Sequence, residues 1–439
     1  QLTTSAEQLL PVEDAIRLGL QSRLAAMQDS DEPPRVAVAG RHSADFAAVL
    51  RAVRKEGAIV APVDTADADV EELMELFAEG QVQLTVSAGA LPSEQRSVEE
   101  ASRRLGTSSS SAASLRAEGA WAQQASSGSN DSNSPASLLL FANAELGSAA
   151  PRAVEVPEAA VSARLSSASS WGWKKDDVVL SLGLSADSSA SVVDALEAPL
   201  TAGASVALPG AAANVWDLWS ALHEKDSATF LFIDSRWCRE LVNAHSSLSP
   251  QLRSELAARW KRRSFRKCVA LAPAGTVLAE DLADSWKEVF NCPLTWHFSC
   301  AEAGSLYTVS HSEALSPVGE LADGLECRVD EGELWVRGQG LFRGYRGRAR
   351  SSAEAFDEDG FCRTGHRVLN VEGNSLLPLP RLGSLELEKD MWRHLMHEPN
   401  TESFPGMQPS WGLKKVPMRV YEQWRAAWGG LLYTKKHNQ

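Results

Sequence analysis

Long apolar runs are missing from this chain of 439 residues, and no stretch approaches the ~20 consecutive apolar residues that a membrane-spanning helix needs. Cysteine is sparse and poorly spaced for metal or redox chemistry. The six cysteines (Cys238, Cys268, Cys292, Cys300, Cys327 and Cys362) form no Cys-x-x-Cys pair and no metal-ligand spacing, so buried reduced thiols are their expected state. Positive charge is in deficit too. A formal net charge of -14 opposes generic binding to nucleic acid or to an anionic membrane face. The chain opens on Gln1 rather than methionine, so a targeting segment cannot be read. What is present is 44% hydrophobic content, over a length sufficient for a large core and more than one subdomain.

Patterning predicts an α/β fold. Arg35 to Pro62 reads as strand, amphipathic helix and strand closed by Gly57, one βαβ unit of a parallel sheet. Val70 to Ser87 repeats it, with Leu73, Met74, Leu76 and Phe77 on a helix before a strand at Val82 to Val86. Residues 106–137 turn to Ser, Ala, Gly and Asn with almost nothing to bury, and are expected to be an exposed linker. Further strands are expected at Leu138 to Phe141 and Thr229 to Ile233, and core roles for Trp216, Trp219 and Trp237. The most ordered pattern runs from Gly332 to His366. There Leu334 and Val336 alternate as in a strand, glycines free a tight loop before Gly344-Tyr345, and a short helix at Ser351 to Phe356 leads through Asp357-Glu358-Asp359-Gly360 into another strand.

The order Gly-Glu-Leu-Trp-Val-Arg-Gly, Gly-Tyr, Ala-Glu-Ala-Phe, Asp-Glu-Asp-Gly and Arg-Thr-Gly-His resembles the adenylate-forming acyl-CoA synthetase family. Segments at Trp171 to Leu182, Ala195 to Pro209 and Val215 to Leu241 are similar to its malonyl-CoA and medium-chain branches. The resemblance covers about Arg35 to Pro399. It implies a large N-terminal domain of parallel-sheet subdomains with a small β subdomain, followed by a C-terminal domain that is truncated here.

The resemblance also implies a site, and this chain departs from it residue by residue. The phosphate loop that should follow Phe141 keeps only Gly147, Pro151 and the cation Arg152, and Glu145 sets a carboxylate against the same anion. In the family's substrate-loop position, Gly183 to Ser189 lacks the histidine. Phe298 stands where an aromatic stacks on the purine, and Glu302 stands at the magnesium-ligand position beside Ala301 in place of threonine. His366 replaces the ribose-gripping aspartate, and the lysine-bearing domain has no counterpart after Pro399. These departures lead to the expectation of a catalytically inactive chain with no cofactor and no metal site, whose relic positions are Gly147, Arg152, Phe298, Glu302 and His366.

From Lys389 to Gln439 there are eight Lys and Arg against four acids, opposite in sign to the body. Trp411, Trp424, Trp428 and Tyr433 are candidate anchors for a protein partner. The expected organisation is therefore a synthetase-like domain over 1–365, a hinge and remnant over 366–400, and an aromatic, basic tail over 401–439. The expected role is a structural subunit of a larger, mitochondrial assembly, the location being implied by the resemblance. The alternatives are an ATP-dependent malonyl- or medium-chain acyl-CoA ligase, and a non-catalytic acyl-CoA- or nucleotide-binding module.

Overall fold

The computed structural model describes residues 2–27, 32–66, 68–125, 138–142, 151–209, 214–224, 227–262, 265–272, 280–310, 319–330, 332–372 and 375–378. The first part of the chain gives β1 (Leu2–Ser5), α1 (Ala6–Ala25), β2 (Arg35–Gly40), α2 (Ala44–Lys55), β3 (Ile59–Asp64), α3 (Val70–Glu79), β4 (Leu84–Ala88), α4 (Pro92–Leu105), β5 (Ser108–Ser111), α5 (Ala112–Ala125), β6 (Leu138–Ala142) and β7 (Arg152–Val156). Next come α6 (Glu158–Ala168), β8 (Val178–Leu182), a wider helical segment at Ala190–Glu197 running into α7 (Ala198–Thr201), β9 (Ser205–Leu208), α8 (Val215–Glu224), β10 (Phe230–Asp234), α9 (Ser235–Ser247), α10 (Pro250–Arg262), β11 (Lys267–Ala272) and α11 (Glu280–Phe290). The rest is mostly strand: β12 (Leu294–Cys300), β13 (Gly304–Ser310), β14 (Gly319–Leu321), β15 (Leu325–Asp330), β16 (Glu333–Gly338), β17 (Gly344–Tyr345), α12 (Ala349–Glu354), β18 (Cys362–Glu372) and β19 (Ser375–Pro378).

Among the described residues these strands form two sheets. One runs β17-β7-β6-β3-β2-β4-β5, parallel from β5 to β6; the other runs from β1 and β9 through β8, β10, β11 and β12 into the antiparallel strands β13, β14, β19, β18, β16 and β15. The layering follows from side-chain alternation along strands that are buried on both faces. Val36 and Val38 of β2 join one core, whereas Ala37 and Ala39 join another. On β10, Phe230 and Phe232 enter the first of these cores and Leu231 and Ile233 enter a third. The shared core therefore lies between the sheets and is filled by α1, α2 and the 190–201 helix, while α3 and α4 cover one outer face and α8 to α11 the other. Buried ion pairs tie the middle layer together. The fully buried Glu13 meets Arg51 at 3.1 Å and Lys55 at 2.5 Å, and Arg51 reaches Glu197 at 3.1 Å.

Both βαβ units form as expected, with β2 pairing β3 and β4 in parallel. No disulfide joins the six cysteines, of which four are buried and two half-buried. Three expectations fail here. Residues 108–125 are a strand and a helix rather than an exposed linker, because Ser108 to Ser111 pair with β4 through the backbone and α5 packs on α1, with Leu115 buried in the shared core. Gly19 makes that approach possible: a Cβ there would lie 2.2 Å from the Leu115 carbonyl oxygen. Trp219 is buried as expected, but Trp216 is 49% exposed at the start of α8 and Trp237 is half-buried against Gly183. The helix expected at Ser351 to Phe356 begins two residues earlier, and Phe356 instead bridges to Cys362. Residues 126–137 and all residues from 379 onward lie outside the described residues.

Candidate functional site

The two sheets meet at one short strand. The β12–β13 hairpin turns at Ala301 to Ala303 and carries Glu302 on that turn. The Glu302 carbonyl accepts the Phe342 N–H at 2.8 Å, and its carboxylate accepts the Tyr345 hydroxyl at 2.9 Å. Tyr345 lies on β17, which pairs with β7 of the other sheet (Tyr345 opposite Val154). Backbone bonds from Arg343 to Glu155 and from Arg346 to Ala153, each 2.8 Å, extend that pairing. Arg152 begins β7, and its guanidinium lies 5.2 Å over the Tyr345 ring. A cation, a phenol and a carboxylate thus stand in sequence across the sheet junction. Burial, then the Glu302 charge, push the Tyr345 phenol above its ordinary range, so it stays a donor to the carboxylate at neutral pH. The buried Nε of Arg152 has no partner among the described residues.

Arg164, which sequence reasoning missed, stands behind this row. It projects from α6 and is 4% exposed. Its Nε donates to the Gly340 carbonyl at 2.8 Å, Nη1 to the Ser189 hydroxyl at 3.1 Å, and Nη2 to the Ala301 and Glu302 carbonyls at 3.0 and 2.9 Å. Burial lowers its pKa to about 10, opposed by Cys300, Glu302 and Asp194, so it remains a cation at neutral pH. The available signal was its place three residues after Val161 and four before Ala168, on the buried face of α6. A cavity of about 730 Å³ opens beside it, lined also by Ser166, Ser305, Asp323, Arg337 and Gln339. Nearby, the buried Asp194 accepts from Ser305 at 3.0 Å and lies 3.4 Å from His297.

Of the residues singled out in the sequence, Arg152 and Glu302 are brought together through Tyr345. Phe298 and His366 are also brought together, but inside the core. Phe298 is fully buried and stacks on Tyr307 at 4.6 Å, with the His366 ring edge-on at 6.3 Å, so Phe298 offers no free face to a purine. In the 183–189 loop, burial raises the Asp187 carboxyl to about 6, and Ser185 donates to it. Gly147 and Glu145, with the loop that holds them, and Trp411, Trp424, Trp428 and Tyr433 all lie outside the described residues.

The family model described as AMP-binding enzyme matches residues 22–346. The chain belongs to this family. A malonate–CoA ligase of Mus musculus, named as mitochondrial, is 24% identical over 275 residues, covering 53% of this chain and 46% of the relative. A 4-coumarate–CoA ligase-like protein of Arabidopsis thaliana is 27% identical over 131 residues, covering 26% and 23%. The chain thus spans about half or less of the length of these curated relatives. Among solved structures, apo MatB from Rhodopseudomonas palustris has a TM-score of 0.66 at 17% identity, covering 86% of this chain and 73% of that one. A benzoate CoA ligase from Burkholderia xenovorans LB400 has a TM-score of 0.70 at 14% identity, covering 89% and 78%. The fold is that of acyl-CoA synthetases, and the chain is an adenylate-forming acyl-CoA ligase-like protein.

The expectation of an inactive chain is overturned by these findings. The matched family is one of enzymes, and the relatives above are named as ligases or ligase-like. The frame that presents Arg152, Tyr345 and Glu302 to one another is intact.

Proposed function

We propose that this protein is an ATP-dependent acid–CoA ligase. The observation that carries the reading is the row Arg152, Tyr345 and Glu302 across the junction of the two sheets, next to the segment that holds the family's phosphate loop. In such a reaction the acid's carboxylate oxygen attacks the α-phosphorus of ATP and pyrophosphate leaves with the bonding pair. The sulfur of CoA then displaces AMP from the acyl carbon, and the thiol proton passes to solvent. Arg152 would meet polyphosphate charge with its free N–H, and Tyr345 would hold the Glu302 carboxylate in place. Magnesium travels with ATP as part of the substrate. Among the described residues no group of three or more His, Cys, Asp or Glu could hold a metal unaided, and Glu302 suits a cation whose other ligands are phosphates.

The test is ATP–pyrophosphate exchange with malonate, medium-chain, benzoate and 4-coumarate acids. Acid-dependent exchange that falls to background in Glu302→Gln is the expected result, and no exchange with any acid overturns the reading. In our reading the enzyme works in mitochondria, which the name of the mouse relative supports. We further propose that its tail binds a protein partner, a reading supported by the aromatic and basic composition of residues 401–439.

A further inference from the structure

We infer that Arg164 is a positioning residue for the adenylation step, a clamp that fixes the Glu302 turn to the loop bearing Tyr345; the inference rests on the ligase reading above. Four of its five N–H groups are taken by neutral oxygens, on Ser189, on Ala301 and Glu302, and on Gly340. Those oxygens belong to three separate segments: the entry to the 190–201 helix, the hairpin turn, and the loop between β16 and β17. Among the described residues none of its hydrogen-bond partners is a carboxylate. A buried guanidinium without an ion pair is a costly way to fill space that an apolar side chain would fill more cheaply, so packing alone does not account for it.

The backbone is shaped around this side chain. Gly304 has φ +76°, and a Cβ there would come within 2.9 Å of the Arg164 Cδ; one on Gly340 would come within 3.3 Å of its Cγ. Arg164 Nη2 bonds the carbonyl of Glu302 itself, while Nε bonds a carbonyl five residues before Tyr345 on the same loop. The two ends of the Tyr345–Glu302 hydrogen bond are therefore held to one rigid guanidinium plane. Without it, three buried carbonyls lose a donor and the turn is free to shift relative to the loop. Misplacement of about 1 Å is enough to cost two orders of magnitude in rate.

The experiment compares Arg164→Met and Arg164→Lys with the wild type in two assays. In pyrophosphate exchange, Arg164→Met should lower kcat about a hundredfold with the KM for ATP nearly unchanged, and Arg164→Lys should recover part of the loss, as expected for a transition-state positioning role. In hydrogen–deuterium exchange, residues 300–304 and 338–345 should exchange faster in Arg164→Met and the remaining peptides should not. A folded Arg164→Met whose two segments exchange as in the wild type overturns the clamp. So does faster exchange throughout the body, which marks a merely structural role. If the wild type shows no pyrophosphate exchange, the ligase reading fails while hydrogen exchange still decides the clamp. If Arg164→Met does not fold, the same two segments are compared in Arg164→Lys, and no difference from wild type overturns the inference.

Discussion

His42 should make the body of this protein acid-sensitive. It sits between β2 and α2, 8% exposed, with its ring stacked on Phe46 at 5.7 Å and neither ring nitrogen bonded to a described residue. Burial lowers its pKa from 6.5 to about 4, against the opposing pull of Asp64. The next residue, Ser43, caps α2, so the helix N-terminus adds to the disfavour for a cation. In the unfolded chain His42 titrates normally, so between its two pKa values the unfolded state binds more protons. Its contribution is present above pH 6.5 and is lost as pH falls toward 4. The full shift corresponds to about 3 kcal/mol, of which about 2 kcal/mol is expressed by pH 5. Urea unfolding of wild type and His42→Asn at pH 7.5 and pH 5 measures it. The variant loses the ring stack at both values, so its absolute stability is not the informative quantity. The stability difference between the two proteins should move by about 2 kcal/mol in favour of the variant at pH 5, with unchanged urea slopes. An equal difference at both values would refute a neutral buried His42.

Tyr345→Phe removes the hydroxyl held 2.9 Å from Glu302 and leaves the ring under Arg152. A hydrogen bond to a charged group is worth about 1.5–3 kcal/mol, so pyrophosphate exchange should fall about tenfold to a hundredfold with little change in melting temperature; an unchanged rate would remove Tyr345 from the site. Trp424→Ala with Trp428→Ala should release the chain from its partner, at about 2 kcal/mol or more for each hot-spot anchor, while the body melts as before. Undiminished co-purification with the same proteins, or an unfolded body, would show that the tail does not serve as the interface.

The sheets were legible wherever their strands carry bulky residues with period two. The strands within Arg35 to Pro62 and at Leu138 to Phe141 show it as apolar runs buried on both faces, and Glu333 to Gly338 shows it as alternation with Leu334 and Val336 buried. The same criterion failed at residues 108–125. There the strand is four serines whose backbone does the pairing, and α5 approaches α1 closely where Gly19 faces the Leu115 backbone. Pairing by backbone and a close approach at one glycine leave little trace in a hydrophobic pattern. Glu302 and Arg152 were legible as motif positions, and Tyr345 as part of a Gly-Tyr pair, but their convergence was not. It depends on β17 pairing with β7, a contact between residues nearly two hundred positions apart that no local period reports. Arg164 was missed for the opposite reason. An arginine in a helix reads as solvated, and only the tertiary structure shows three chain segments closing on it.

The two ends of the nucleotide site implied by the family resemblance have diverged in different ways. At the base and ribose end, Phe298, Tyr307 and His366 have closed into one aromatic cluster, with Phe298 against Tyr307 at 4.6 Å and His366 at 6.0 Å from Tyr307. Opening that cluster for a purine would expose large, fully buried rings, each worth roughly 1.5–3 kcal/mol of burial. At the phosphate end, the buried Nε of Arg152 has no partner among the described residues, and Tyr345 holds Glu302. On the ligase reading proposed above, recognition of ATP would fall on its charges rather than its base, and charge recognition at a half-exposed site weakens with salt. Pyrophosphate exchange is accordingly best measured at millimolar ATP and low ionic strength. Activity that tolerates a change of purine but falls with salt would show that the phosphate end carries the binding.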